Sequence, residues 1–322
     1  MRDDANFGIG TLDPLAQGFL DQLASMPRSK TWEITPEEAR AGFRAQIKMF
    51  GPKDVPIGKV KNLTMPGPGG DLPLRVYTPV AAGGEALPAL LFFHGGAFRV
   101  GDLDSYEPVC RLIAGAAGCR VIAVDYRLAP EHVFPAAVDD AMAAARWVEA
   151  NASELGVDPN RIAVGGDSAG GNLAAVVAQL AHKEGEPRIA CQLLMFPVTQ
   201  FGSPFPSMQE FGVGYLLEKD ALEYCYERYA PRELWSDARV SPLLTQEIAG
   251  LPPAYVMLAG CDPLHDEGLA YAKKLRSGGV KVDVADYHGL IHGFTNFQAV
   301  LPQAHEALTA AAKALKAAFE TA

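Results

Sequence analysis

The sequence predicts an α/β protein, a mostly parallel sheet with helices on both faces. Three observations carry this. From Leu90 onward, apolar strand-like runs alternate with helical stretches. Gly166-Asp167-Ser168-Ala169-Gly170 stands between an apolar run, Arg161–Gly165, and a small-residue helical run, Asn172–Ala178. The chain has 322 residues and is 49% hydrophobic, enough to bury a large core.

Taken in order, Asp13-Pro14 opens a helix. Its Leu15, Phe19 and Leu23 recur at four-residue spacing and are expected on one buried face. Thr35-Pro36-Glu37-Glu38 has the form of a capping box with proline at N1. It opens a second helix that stops at Gly51-Pro52. Lys59–Met65 and Leu72–Thr78 read as a hairpin around the turn Pro66–Gly70. Six further strands are expected at Leu90–Phe93, Arg120–Val124, Ile162–Val164, Ile189–Met195, Ala254–Leu258 and Val280–Val284, making an eight-stranded sheet with right-handed crossovers. Between Phe196 and Ala254 lie roughly sixty residues with an aromatic helix, Leu222–Tyr229, and no clear core strand. An insertion of that length after a core strand is expected to cover a substrate site. The Ala-rich tail, with Leu301, Leu308, Leu315 and Phe319, reads as an amphipathic helix on the sheet.

Composition narrows the function. A formal charge of −10 argues against nucleic acid or anionic membrane as partners. No apolar run approaches the ~18 residues of a membrane span. Met1-Arg2-Asp3-Asp4 lacks the basic-then-apolar order of a signal peptide, so a cytoplasmic location is expected. The five cysteines lack metal spacing and no H-E-x-x-H is present, so no metal or other cofactor is expected. Cys119 and Cys191 read as buried fillers, and Cys261 as a packing residue rather than a reactive one.

The chemistry centres on Ser168. A sharp strand-to-helix turn flanked by glycines lifts a serine hydroxyl into the open, with free N–H groups of the helix start behind it. Asp167 is expected to tie down this turn. The run Leu90–Phe93 ends in His94-Gly95-Gly96-Ala97-Phe98, a glycine-rich turn whose backbone donors suit an oxyanion hole. The candidate donors are Gly95, Gly96 and Ala97, with Ala169 after the serine; His94 shapes the turn. Downstream, Asp262, Asp266 and Glu267 compete as acid, and His288 and His292 as base. Both groups follow expected strand ends, in the chain order Ser…Asp…His.

Five ordered motifs decide between these candidates. H-G-G-x-F at His94–Phe98, D-Y-R-L-A-P-E at Asp125–Glu131, G-D-S-A-G-G-N at Gly166–Asn172, D-P-L-x-D-E-G at Asp262–Gly268 and H-G-F at His292–Phe294 together resemble the hormone-sensitive-lipase-like (bacterial family IV) esterases. The resemblance spans nearly the whole chain. It implies an α/β-hydrolase fold over residues 1–322 as a single domain, with a helical cap formed by about 1–50 and about 197–240. It implies Ser168 as nucleophile, His292 as base and Asp262 as acid. The activity implied is hydrolysis of short-to-medium acyl esters of small molecules, without cofactor. An amidase or deacetylase on the same triad is the alternative. A non-catalytic receptor is more remote, because related plant receptors have lost the histidine that this chain keeps at His292. A homodimer is compatible with the resemblance. Asp125 and Glu131 are expected to be structural anchors, and His132, His182, His265 and His305 ordinary surface or loop residues. One departure stands out: the family usually has a third glycine where this chain has Ala97. The N–H survives that change.

Overall fold

In the computed structural model, which describes residues 10–27 and 29–322, the two N-terminal strands join the six later ones in one sheet. Strands β1 (Lys59–Gly67) and β2 (Gly70–Thr78) form the expected antiparallel hairpin, closed by Pro68-Gly69 with Gly70 at φ 119°. β2 also pairs antiparallel with β4 (Arg120–Val124). From β4 the sheet runs parallel through β3 (Leu87–Phe93), β5 (Val157–Asp167), β6 (Gln192–Met195), β7 (Ala254–Cys261) and β8 (Val282–Ile291). The order is β1-β2-β4-β3-β5-β6-β7-β8, so β5 lies near the centre.

Alternation along the strands divides the core in two. Leu91 and Phe93 of β3 face one cluster, shared with α4 (Ala136–Ala150), α6 (Ala169–Glu184) and α9 (His265–Ser277). Leu90 and Phe92 face the other, shared with α3 (Glu107–Ala117) and α10 (Gln303–Phe319). A short helix α5 (Ala152–Leu155) leads into β5. The small residues of α6 let it lie buried along most of its length, directly behind Ser168.

Helices α1 (Pro14–Ala24) and α2 (Pro36–Phe50) stand where their caps predict. Asp13 accepts the Leu15 N–H at 2.8 Å, and the Thr35/Glu38 box is complete. The buried face of α1 differs from expectation. It is Ala16, Phe19, Leu20 and Leu23, while Leu15 is half exposed, because the stripe follows i, i+3, i+4 rather than strict fourth positions. The insertion after β6 holds α7 (Pro206–Glu210), α8 (Lys219–Tyr229) and two 3-10 turns, Arg232–Leu234 and Pro242–Leu244.

Several strands depart from their expected bounds: β5, expected at Ile162–Val164, runs from Val157 to Asp167, and β3 and β7 are also longer. β6 starts at Gln192 rather than Ile189, since pairing with β5 and β7 begins only there. β8 starts later and runs on to Ile291, which draws Tyr287 and His288 into the strand. An edge strand tolerates such polar positions, so its length left no apolar signature. No described helix is long and apolar enough to cross a membrane.

Candidate active site

The end of β5 and the start of α6 force Ser168 into the left-handed region, at φ 52° and ψ −118°. Holding a non-glycine residue there costs on the order of 1–3 kcal/mol, and its surroundings must over-determine it. They do so through backbone contact. The Ser168 N–H donates to the Met195 carbonyl at 2.9 Å, and the Ser168 carbonyl accepts from Asn172 and Val198. The motif glycines are there for space. A Cβ at Gly166 would meet the Phe93 carbonyl oxygen at 2.2 Å, and one at Gly170 would meet it at 1.9 Å. The serine turn and the end of β3 are thus pressed together.

Around Ser168 the structure gathers two of the candidates from the downstream loops. His292 follows β8 and its Nε2 lies 2.9 Å from Ser168 Oγ. Its Nδ1 lies 2.7 Å from Asp262 Oδ2, and Asp262, which directly follows β7, is fully buried. The other Asp262 oxygen accepts the Leu264 N–H at 2.8 Å. A carboxylate only accepts, so Nδ1 carries the proton in this pair and Nε2 is left to accept from the serine hydroxyl. The Phe196 ring stands edge-on to the imidazole at 5.1 Å.

His288, Asp266 and Glu267 are not part of this cluster. His288 is a β8 residue, half exposed, with its Nδ1 3.9 Å from Asp286. Glu267 is buried, and its Oε1 accepts the N–H groups of Thr199 and Gln200 at 2.7 and 3.2 Å. Burial pushes its carboxyl up to about 8 against those hydrogen bonds. It anchors the start of the insertion after β6.

The glycine-rich turn corrects one expectation. The Gly95 N–H is not free for a substrate oxygen, because it donates to Asp167 Oδ1 at 2.8 Å. The Tyr106 hydroxyl donates to the other Asp167 oxygen at 2.9 Å. Asp167 therefore ties the turn to the serine strand, and burial pushes its carboxyl up to about 6 despite both hydrogen bonds. The N–H groups of Gly96, Ala97 and Ala169 make no hydrogen bond among the described residues. Ala97 and Phe98 both have positive φ, 51° and 59°, which is the backbone reason a glycine suits position 97.

Several of the remaining motif residues make contacts within the fold. The His94 carbonyl accepts from the Tyr126 hydroxyl at 2.6 Å, and the two rings stack at 4.4 Å. Burial holds the His94 imidazole down to about 4, so it is neutral. The Arg127 guanidinium bonds buried Asp140 of α4. Glu131 forms a two-pronged pair with Arg40 of α2, and Arg40 Nε also donates to the Arg99 carbonyl at 3.0 Å. Burial raises the Asp125 carboxyl to about 6. Cys261 is buried and its thiol is pushed up to about 11, as a packing residue requires.

A cavity of about 620 Å³ adjoins the turn. Leu23, Phe43 and Phe50 of α1 and α2 line it, together with Gly96, Arg99 and Cys225; its lining reaches Gly96 and not Ser168 itself. Phe98 stacks on Tyr229 of α8 at 3.8 Å and Arg40 of α2 donates to the Arg99 carbonyl, so the insertion and α2 meet the turn, while α1 lines the same cavity through Leu23.

A family model described as alpha/beta hydrolase fold matches residues 90–296. The chain belongs to the hormone-sensitive-lipase-like α/β-hydrolases. Within that family it is 48% identical over 265 residues to the carboxylic ester hydrolase LipN of Mycobacterium tuberculosis, covering 80% of this chain and 70% of the relative. It is 40% identical over 288 residues to an ethyl acetate hydrolase of Pseudomonas putida, covering 88% and 90%. A solved ester-hydrolase, EH1AB1 from the metagenome of Lake Arreo, superposes with a TM-score of 0.93 at 37% identity, covering 96% of this chain and all of that one.

One histidine escaped sequence reasoning. His265, expected to be an ordinary surface or loop residue, is buried with a carboxylate at each ring nitrogen, Asp266 at 2.9 Å and Asp286 at 3.0 Å. Only its place inside the D-P-L-x-D-E-G motif hinted at more.

Proposed function

We propose that this α/β-hydrolase hydrolyses short-to-medium acyl esters of small molecules through an acyl-enzyme on Ser168. The observation that carries the reading is the continuous hydrogen-bonded line Ser168 Oγ–His292 Nε2 and His292 Nδ1–Asp262 Oδ2. His292 takes the hydroxyl proton as Ser168 Oγ attacks the ester carbonyl. Asp262 holds the tautomer and stabilises the imidazolium. The N–H groups of Gly96, Ala97 and Ala169 receive the oxyanion. His292 then protonates the leaving alcohol. Water, deprotonated by His292, attacks the acyl-enzyme and releases the acid. The helices of about 1–50 and the insertion of about 197–240 act as the cap. Support for short acyl groups comes from the relative named for ethyl acetate.

The test is a p-nitrophenyl ester series from acetate to laurate, run beside an aryl acetamide and repeated with Ser168→Ala. The reading predicts highest kcat/KM at the short end, at most weak amide cleavage, and a loss of several orders of magnitude in the variant. Preference for the acetamide would favour an amidase instead.

A further inference from the structure

We propose that His265 is a positioning residue for the Asp262–His292 pair, a buried imidazolium that fastens the loop carrying the acid to the strand carrying the base. This rests on the triad proposed above.

His265 opens α9, three residues after Asp262, and its side chain is 1% exposed. Nδ1 meets Asp266 Oδ1 at 2.9 Å and Nε2 meets Asp286 Oδ2 at 3.0 Å. A neutral imidazole has one N–H, so one of these contacts would set a lone pair against a carboxylate. Only the imidazolium donates to both. Asp286 belongs to β8, six residues before His292, and its side chain is 2% exposed. An unpaired charge buried to that extent is strongly destabilising, so the imidazolium is what allows Asp286 to remain there.

The contacts close a ring. It runs from Asp262 to His265 across to Asp286, along β8 to His292, and back to Asp262. Ser207 of α7 joins it, donating its N–H to Asp266 Oδ2 at 3.0 Å and its hydroxyl to the Pro263 carbonyl at 2.8 Å. The charged and titratable groups that face His265 are Asp266 on its own helix and Asp286 on β8, with His288 3.9 Å from that second carboxylate; Cys261, at the end of β7, stands near Asp262, Glu210 and Asp286. Carboxylates dominate this set. Burial by itself would lower the His265 pKa, but the hydrogen bonds to Asp266 and Asp286 outweigh it and raise the group to about 9. Because the folded value lies above the ordinary 6.5, the clamp is complete below about 6.5 and is lost as pH rises through about 9.

The experiment measures kcat, KM and Tm from about pH 6 to about pH 10.5 for the parent, His265→Gln and Asp286→Asn, with spontaneous hydrolysis subtracted. In the parent, kcat should fall several-fold through about pH 9 while KM moves less than about twofold, since misalignment of the pair affects the chemical step. His265→Gln should lose about tenfold in kcat at neutral pH and lack the alkaline fall. Asp286→Asn leaves His265 one carboxylate, so it should move the fall to lower pH, and it serves as the test if His265→Gln does not fold. A His265→Gln enzyme with lower Tm but parental kcat and an unchanged alkaline limb would overturn the inference, since the residue would then serve stability alone. In that case Ser168→Ala and His292→Ala would still be inactive. An active His292→Ala would instead overturn the triad and this inference with it.

Discussion

Asp167 carries a duty that its place inside G-D-S-A-G only hints at. It accepts the Gly95 N–H and the Tyr106 hydroxyl, and so fixes the turn that presents Gly96 and Ala97. Asp167→Ala should lower kcat by about 10²-fold, comparable with removing an oxyanion donor, while Asp167→Asn, which keeps one acceptor, should lose about tenfold or less. The group's folded pKa, about 6, lies above the ordinary 3.8, so its ionisation costs stability as pH rises through that window. Thermal melts should therefore show Asp167→Asn at least as stable as the parent above about pH 6, with the advantage vanishing near pH 4. A large destabilisation at neutral pH would refute this. Ala97 offers a second check at this scale. Its φ of 51° costs an alanine about 1–2 kcal/mol, and glycine would relieve that at about 0.5–1 kcal/mol of backbone entropy. Ala97→Gly should thus leave stability unchanged or raise it by up to about 1.5 kcal/mol, and keep kcat within about tenfold, because the N–H is retained. Ser168, Asp262 and His292 were legible because their motifs are local. The commitment of the Gly95 N–H was not, since its acceptor lies 72 residues away. Nor was the burial of His265, whose second carboxylate is on another strand.

Among the elements, caps and turns were the most readable. The Thr35/Glu38 box, Gly51 and the Pro68-Gly69 turn act through neighbours in sequence. The extent of β8 was not readable, because edge pairing with β7 imposes no apolar alternation. The docking of α2 was equally hidden. Arg40 reaches Glu131 and the carbonyls of Arg99 and Ala129, tying α2 to the two segments beside the glycine-rich turn. The ion pair is partly exposed and worth about 0–1 kcal/mol by itself. The two carbonyl contacts orient the N-terminal half of the helix, while Ile47 and Phe50 bury its C-terminal half. Arg40→Ala should therefore raise KM several-fold for butyrate and octanoate esters with a small change in Tm, and Glu131→Gln should have a weaker effect. Parental KM values in Arg40→Ala would show that α2 does not shape the substrate site.

At the scale of the whole molecule, the sheet order brings the three loops of the site to one edge. β5, β7 and β8 end there with Ser168, Asp262 and His292, while β3 delivers the glycine-rich turn. Strand alternation and chain order foretold this arrangement, as right-handed crossovers leave few other ways to lay parallel strands. Which surfaces of α2 and of the insertion after β6 meet the turn depends on packing between segments far apart in sequence, which no local pattern records. Among the described residues no group of three or more His, Cys, Asp or Glu side chains is placed to hold a metal ion. Activity should be unaffected by a chelator, and loss restored by a divalent ion would contradict the mechanism. The most direct test of Ser168 as the nucleophile is a titration with a p-nitrophenyl phosphonate, followed by intact-mass and peptide mass spectrometry. One adduct per chain, mapped to Ser168 and growing in step with loss of esterase activity, is the result predicted; an adduct on another residue, or full activity in an enzyme modified at Ser168, would contradict it.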